Sequence, residues 1–143
     1  MINKRILLIY TGGTIGMVKD KLKKTLVPFN FDELLKAIPE LKSEEVDLDN
    51  ISIKTPIDSS NMNTTVWAEI AKLIERNYKN YDGFVILHGS DTMAYTASAL
   101  SFMLEGLNKA VILTGSQIPI GARRSDAKEN LITAVEIATS GKV

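Results

Sequence analysis

Residues 84–104 read FVILHGSDTMAYTASALSFML and hold, in order, an apolar run, a polar loop and a helical pattern. The run FVILH at 84–88 is short and continuous, which is typical of a strand buried in a parallel sheet. Met93, Ala97, Leu100 and Leu104 follow at helical spacing, and Gly106 comes after them as a helix-ending residue. A buried strand that leads into a helix is half of a β-α-β unit, so this stretch predicts a parallel sheet covered by helices.

The rest of the chain repeats this alternation. Further strand candidates are RILLIY at 5–10, ISIK at 51–54 and AVILT at 110–114. Helical patterns lie between or after them, carried by Phe31, Leu34, Leu35 and Ile38, with Asn30 as N-cap; by Val66, Ile70, Leu73 and Ile74; and by Leu131, Val135 and Ala138, with Gly141 after them. We therefore expect one α/β domain of three layers: a mainly parallel sheet with helices on both faces and right-handed crossovers, as in flavodoxin-like and Rossmann-like folds.

Composition excludes several classes of function. The 17 basic and 17 acidic side chains cancel, so the charge predicts no nucleic-acid or membrane partner. Because the chain has no cysteine and one histidine, we predict neither a disulfide nor a metal site. The first apolar run is too short for a signal sequence or a membrane span, which predicts a cytoplasmic protein.

Polar loops follow all four strand candidates. They are Thr11–Thr14, Asp58–Ser60, Gly89–Thr92 and Gly115–Gln117. Because the carboxyl ends of parallel strands meet at one edge of a sheet, we expect these loops to converge on one pocket. Their glycines would let backbone N–H groups approach a ligand, and their hydroxyls and carboxylates would supply donors, acceptors and a nucleophile.

Each loop taken alone also fits a structural role. Thr11–Thr14 equally suits a tight turn with a threonine cap, and the sequence there matches neither a P-loop nor G-x-G-x-x-G. One side chain of the Ser90–Asp91 pair suits a helix cap, and His88 suits a hydrogen-bonded structural histidine better than a catalyst. No G-x-S-x-G elbow surrounds a serine, so a serine triad is poorly supported.

Four motifs in this order resemble those of bacterial L-asparaginases, specifically the cytoplasmic type I group. They are TGGTIG at 11–16, DSSNM at 58–62, HGSDTMAYTASALSFML at 88–104 and TGSQIPIGARRSDAKENL at 114–131. The first and third correspond to the two signature regions of that family. The resemblance spans nearly the whole chain.

The resemblance implies hydrolysis of L-asparagine to L-aspartate and ammonia without a metal or organic cofactor. It makes Thr14 the nucleophile that forms an acyl-enzyme, and it makes Ser90 and Asp91 partners of a catalytic lysine. It also assigns substrate binding to Asp58, Ser59, Ser60, Ser90, Asp91 and Ser116, with Asp91 holding the ammonium group. A homodimer or homotetramer is implied for the full-length protein.

This sequence departs from the family pattern in three places. Ser90 stands where many relatives have threonine, which retains the hydroxyl. Leu26 or a neighbour stands where many relatives have a lid tyrosine, and we expect the loop at 17–29 to be mobile. The catalytic lysine and a C-terminal domain belong to segments later than Val143, and Lys142 comes too early to be that lysine. Residues 1–143 are therefore interpreted as an incomplete N-terminal domain with little activity by itself.

Other functions remain open from the sequence. Thr11–Thr14 loosely resembles the phosphate loop of flavodoxins, so an FMN-binding electron carrier is the main alternative. A domain that only binds an amino acid or another chain is the second. A transamidosome subunit that acts on charged tRNA shares the asparaginase signatures, but the zero net charge argues against it. The sequence does not separate asparagine from glutamine as substrate, since one methylene changes binding by only ~1 to 3 kcal/mol.

Overall fold

A four-stranded parallel sheet forms the centre of the molecule in the computed structural model, which describes residues 3–19, 26–28, 34–36, 38–41 and 45–142. Its strands are β1 Lys4–Tyr10, β4 Val46–Ser52, β5 Gly83–Leu87 and β6 Ala110–Thr114, in the spatial order β4-β1-β5-β6. All three pairings in this sheet are parallel. The predicted parallel strands at residues 5, 84 and 110 are therefore confirmed as neighbours.

Three long helices accompany the sheet: α1 Thr64–Asn77, α2 Met93–Met103 and α3 Ala127–Ser140. α1 begins where the Asn63 side chain accepts hydrogen bonds from the N–H groups of Thr65 and Val66. α3 ends at Gly141, whose φ of 64° is the left-handed conformation that glycine adopts without strain. These helices confirm the three predicted from apolar spacing in the second half of the chain.

The core divides into two layers, one on each face of the sheet. Ile6 and Leu8 of β1 point to the face that α3 covers, where they belong to one cluster with Leu131. Leu7 and Ile9 point to the opposite face and cluster with residues of α1 and α2, namely Ile70, Ile74 and Leu100. Successive side chains of a strand point to opposite faces, so a continuous apolar run requires a helix on both sides. The predicted three-layer α/β architecture is confirmed.

One predicted boundary differs from the structure, and one predicted helix is only partly described. β4 begins at Val46 rather than at residue 51. The apolar pattern did not reveal its first half, because Asp47, Asp49 and Asn50 interrupt that pattern. β4 lies at the edge of the sheet, where such polar residues are tolerated on the solvent side and discourage pairing with another chain. The predicted helix at 31–38 lies largely outside the described residues. Within that range, residues 34–36 are described and are helical.

The segment expected as a loop at 17–29 contains two short strands. β2 Met17–Lys19 and β3 Leu26–Pro28 form an antiparallel pair in which Val18 lies opposite Val27. β-branched residues favour strands, which accounts for the pairing. The residues between the two strands lie outside the described part, as does the side chain of Leu26, so the predicted mobility and the lid position remain predictions.

The strand order creates a crevice at one place along the sheet. From β1 the chain moves to β4 on one side, and it later returns to β5 on the other side of β1. Parallel sheets bind ligands at such a reversal, outside the carboxyl ends of the strands. Among the residues described, no helix is both long and apolar enough to cross a membrane.

Candidate active site

A cavity of about 260 Å³ lies at the carboxyl ends of β1 and β5, where the strand order reverses. Its lining comes from three loops and consists of Gly13, Thr14, Met17, Asp58, Ser59, Gly89, Ser90 and Asp91. Five of the seven predicted site residues are in this lining: Thr14, Asp58, Ser59, Ser90 and Asp91. The fold thus brings together loop residues that are up to 78 positions apart in the sequence, Gly13 and Asp91.

Glycines allow these loops to touch one another. Gly13 has a φ of 84°, and a Cβ atom added to it would come within 2.5 Å of the Gly89 nitrogen. A Cβ on Gly89 would in turn collide with the Ser59 Oγ. Gly89 is thus the shared contact of all three loops. The sequence analysis assigned these glycines to ligand approach, whereas their close contacts are with neighbouring loops.

The two threonines of the first loop have different surroundings. Thr11 is buried, and both its hydroxyl and its N–H donate to the carbonyl of Leu87, over 2.9 and 3.0 Å. Its own carbonyl accepts from the Ile57 N–H over 3.0 Å, so Thr11 fastens β1 to β5 and to the loop after β4. Thr14 is half-buried, begins a short 3₁₀ turn and lines the cavity. Of the two threonines, only Thr14 belongs to the lining of the cavity.

Asp58 holds the second loop in shape. Its Oδ1 accepts from the backbone N–H of Ser60 over 2.9 Å and from the Ser60 hydroxyl over 2.8 Å. The backbone hydrogen bond and then the hydroxyl hydrogen bond lower the pKa of this carboxyl, because both stabilise its ionised form. Ser60 is exposed and does not belong to the cavity lining. Its N–H and its hydroxyl both bind the Asp58 carboxylate.

The third loop leads directly from β5 into α2. Ser90, Asp91 and Thr92 form a 3₁₀ turn just before the helix, and both Ser90 and Asp91 are exposed at the cavity. The Thr92 hydroxyl donates to the Ser59 carbonyl over 2.7 Å, which ties this turn to the second loop. His88, at the end of β5, is completely buried and hydrogen-bonded, as expected for a structural histidine.

The fourth predicted loop stays outside the cavity. Ser116 is buried, its hydroxyl donates to the Ile118 carbonyl over 2.8 Å, and it is not among the eight lining residues. The Asp126 carboxylate accepts from the N–H groups of Gln117 and Ile118, each over 3.0 Å. These hydrogen bonds, that of Gln117 first, lower the pKa of Asp126. Ser116 is therefore held by contacts within the loop after β6 and not by contacts with the cavity lining.

Asp126 and Asn130 are the residues that the sequence analysis missed. The Asn130 amide donates to the Gly115 carbonyl over 2.9 Å, so the two side chains support both ends of the loop after β6. The available signal was the acidic residue immediately before the apolar repeat of α3, which is a common position for a side chain that accepts backbone N–H groups.

The cavity combines hydroxyl groups with carboxylates. A threonine hydroxyl can attack a carbonyl carbon once a base takes its proton, and a carboxylate can hold an ammonium group. In the described part of the chain, no group of three or more His, Cys, Asp or Glu side chains is arranged to hold a metal ion. This set of groups suits acyl transfer from a small zwitterionic substrate.

Comparisons with known proteins give consistent matches. Residues 5–143 match the family described as Asparaginase, N-terminal. The chain is 49% identical to L-asparaginase 1 of Escherichia coli K12 over 141 residues. This alignment covers 98% of this chain and 42% of that protein. Two crystal structures are also similar. L-asparaginase I from Vibrio cholerae has a TM-score of 0.84 at 48% identity and covers 95% of this chain and 41% of its own.

The second structure, a probable cytoplasmic L-asparaginase from Campylobacter jejuni, has a TM-score of 0.82 at 35% identity. It covers 95% of this chain and 42% of its own. The chain thus spans less than half the length of each of these relatives. The matched regions cover 95% of this chain or more.

Proposed function

The chain belongs to the asparaginase family, and from that premise we propose that it is the N-terminal domain of an amidohydrolase that converts L-asparagine to L-aspartate and ammonia. Residues that complete the enzyme lie in a C-terminal domain, by analogy with relatives of which this chain covers 42% or less. The observation that carries the proposal is the position of Thr14 in one cavity with Asp58, Ser59, Ser90 and Asp91.

The groups in the cavity match the parts of asparagine. The Asp91 carboxylate pairs with the α-ammonium group, and Ser59 with its neighbouring backbone holds the α-carboxylate. The side-chain amide then lies at Thr14, which is in the same lining as Ser59 and Asp91. Asp58 acts on the second loop, since its Oδ1 already accepts two hydrogen bonds from Ser60.

The reaction proceeds in two steps. The Thr14 hydroxyl gives up its proton and its oxygen bonds to the amide carbon; the C–N bond breaks and the protonated nitrogen leaves as ammonia. Water then adds to the carbonyl carbon of the resulting ester and the C–O bond to Thr14 breaks, which releases aspartate and returns a proton to the threonine oxygen. Ser90 takes part in proton transfer to and from the Thr14 oxygen. It acts together with a lysine from the segment that the resemblance places later than residue 143. A secondary hydroxyl needs such help at neutral pH.

The nucleophile is tested by Thr14→Val in the full-length protein. Valine keeps the shape of threonine and loses the oxygen, so we expect ammonia release from L-asparagine to fall by about 10⁴-fold or more while the circular dichroism spectrum is unchanged. Thr14→Ser should retain partial activity. Thr133→Val is the matched control, because Thr133 is exposed on α3 and does not line the cavity.

Two results would contradict the proposed function. Activity of Thr14→Val close to wild type would move the nucleophile elsewhere, although the Thr11 hydroxyl is buried against the Leu87 carbonyl. A purified protein that is yellow and absorbs at about 450 nm would instead support the FMN-binding alternative. Comparing kcat/KM for asparagine and glutamine in the same assay decides the preferred substrate.

We further propose that the full-length protein is cytoplasmic and a homodimer or homotetramer. The likeness to a probable cytoplasmic L-asparaginase supports the location, and the family resemblance supports the assembly. Sedimentation velocity on the full-length protein measures the assembly, and a monomer at micromolar concentration would contradict it.

A further inference from the structure

Three side chains connect α1 and α2 to the third site loop through hydrogen bonds. The Trp67 Nε1 on α1 lies 2.9 Å from the Thr96 Oγ1 on α2. The same oxygen lies 2.8 Å from the His88 Nε2, and the His88 Nδ1 lies 2.6 Å from the Gly89 carbonyl oxygen. His88 and Thr96 are both completely buried.

The chemistry of these groups fixes the direction of every hydrogen bond. A carbonyl oxygen only accepts, so the His88 Nδ1 carries the hydrogen that binds the Gly89 oxygen. In the neutral ring the Nε2 then accepts, and the Thr96 hydroxyl donates to it. The Thr96 oxygen accepts from the Trp67 indole, which can only donate. Burial lowers the pKa of His88, partly offset by its hydrogen bond to the Gly89 carbonyl.

The last of these hydrogen bonds ends at Gly89, the residue at which the three site loops meet. Gly89 precedes the turn of Ser90, Asp91 and Thr92, and it lies against both Gly13 and Ser59. A rotation of the Gly89 peptide would therefore shift the two exposed side chains that follow it relative to Thr14. None of the three hydrogen-bonding side chains lines the cavity itself.

We propose that Trp67, Thr96 and His88 are positioning residues, a relay of hydrogen bonds that fixes the Gly89 peptide and so places Ser90 and Asp91 opposite Thr14. The proposal rests on the proposed amidohydrolase function for its kinetic consequences. Its structural consequence, a rigid turn at 89–92, is independent of that function. The relay extends the site by two helices that do not contact the substrate.

Thr96→Val in the full-length protein is the main test. Valine fills the same space but leaves the Trp67 donor and the His88 acceptor without partners. We expect kcat/KM for asparagine to fall about tenfold to hundredfold, as for other small displacements of reacting groups. We also expect KM to rise, because Asp91 moves away from the ammonium site. A loss of folded protein alone would lower kcat and leave KM unchanged.

Two further variants complete the design. Thr96→Ser keeps the hydroxyl and should return kcat/KM to within about threefold of wild type. Ser98→Ala is the matched control, since Ser98 is exposed on the same helix and its hydroxyl donates to the Ala94 carbonyl. Amide hydrogen exchange at residues 89–92 should be faster in Thr96→Val and unchanged in Ser98→Ala.

The outcomes separate the relay from the enzyme function. Wild-type kinetics and wild-type exchange in Thr96→Val would overturn the relay, as would a Thr96→Ser variant as damaged as Thr96→Val. If the wild-type protein releases no ammonia, the proposed function fails and the exchange measurement still decides the relay. If Thr96→Val does not fold, Trp67→Phe takes its place: unchanged KM and unchanged exchange at 89–92 in that variant would overturn the relay.

Discussion

Gly13 and Gly89 show how single residues permit the site to form. Each lacks a Cβ atom at a point where another loop takes up the space, at the backbone of Gly89 and at the hydroxyl of Ser59 respectively. Gly13 also has a φ of 84° with a ψ of 166°, a backbone conformation that is almost confined to glycine and costs other residues about 1 to 3 kcal/mol. Two separate requirements therefore select glycine at position 13, and only the packing requirement applies at position 89.

Gly13→Ala should destabilise the protein more than Gly106→Ala. Both glycines have positive φ, but a Cβ on Gly106 would meet nothing within 4 Å. We expect Gly106→Ala to lower the free energy of unfolding by about 1 to 2 kcal/mol. Gly13→Ala should lower it by a further amount of about 1 to 3 kcal/mol, because the methyl group overlaps the Gly89 backbone and because the ψ of 166° at Gly13 is poorly accessible to alanine.

Urea unfolding of both variants measures this difference. Gly89→Ala adds a case with collision but without a positive φ, since Gly89 has a φ of −71°. Equal losses in Gly13→Ala and Gly106→Ala would mean that the loops separate at little cost, which would contradict the close packing of the site.

At the scale of elements, buried polar contacts join β5 to its surroundings. The His88 N–H donates to the Thr114 carbonyl of β6 over 2.9 Å, and its ring links the end of β5 to Thr96 of α2. A partly exposed group, the Asp126 carboxylate, holds the loop between β6 and α3 by accepting from the Gln117 and Ile118 N–H groups. Because these groups titrate, pH reports on the contacts between elements.

His88 should make stability depend on pH below about 6.5. Burial lowers its pKa in the folded protein from the ordinary value of 6.5, so the unfolded protein binds the proton first as the pH falls. The stabilisation from the neutral ring is complete above pH 6.5 and is lost as the pH falls toward the folded pKa. The slope contributed by one proton is at most about 1.4 kcal/mol per pH unit.

Urea unfolding between about pH 7.5 and pH 5 compares wild type with His88→Asn, which removes the titrating ring but keeps a donor for Gly89. We expect a steeper fall in the free energy of unfolding for wild type. Asp58 and Asp126 do not confuse the comparison, because their lowered pKa values act below the ordinary value of 3.8. Parallel pH curves for the two proteins would contradict a neutral buried His88.

At the scale of the whole molecule, the described residues leave large apolar side chains in water. Phe102 is 84% exposed and Tyr95 is 68% exposed, both on α2. β6 lies at the edge of the sheet, where the backbone on one side has no strand beside it among the described residues. Open strand edges and exposed aromatic side chains favour association.

We predict that residues 1–143 alone release ammonia from asparagine far more slowly than the full-length protein. They carry Thr14, Ser90 and Asp91, but not the lysine that the resemblance assigns to proton transfer. Members of a catalytic unit are strongly non-additive, so the loss of one costs nearly as much as the loss of all. Ammonia release near the full-length rate by residues 1–143, abolished by Thr14→Val, would contradict this prediction.

The sequence by itself determined the fold class and predicted five of the residues that line the candidate cavity. Continuous apolar runs such as Phe84–His88 indicate strands buried on both faces, and helical spacing between the runs then predicts the layers. Both signals are local, so they can be read without knowing which segments meet. Loops that follow parallel strands gather at one edge of the sheet, and this rule predicted one pocket for Thr14, Ser59 and Asp91, although it also placed the loop of Ser116 in that pocket.

Only the tertiary structure decided what each of these residues touches. It separated Thr11, whose hydroxyl is buried against Leu87, from Thr14, which faces the cavity. It also placed Ser116 outside the lining and showed Asp126 shaping its loop. These contacts depend on the order of strands in the sheet and on the approach of loops far apart in sequence. The local hydrophobic pattern does not predict these contacts, because the same pattern is compatible with several spatial neighbours.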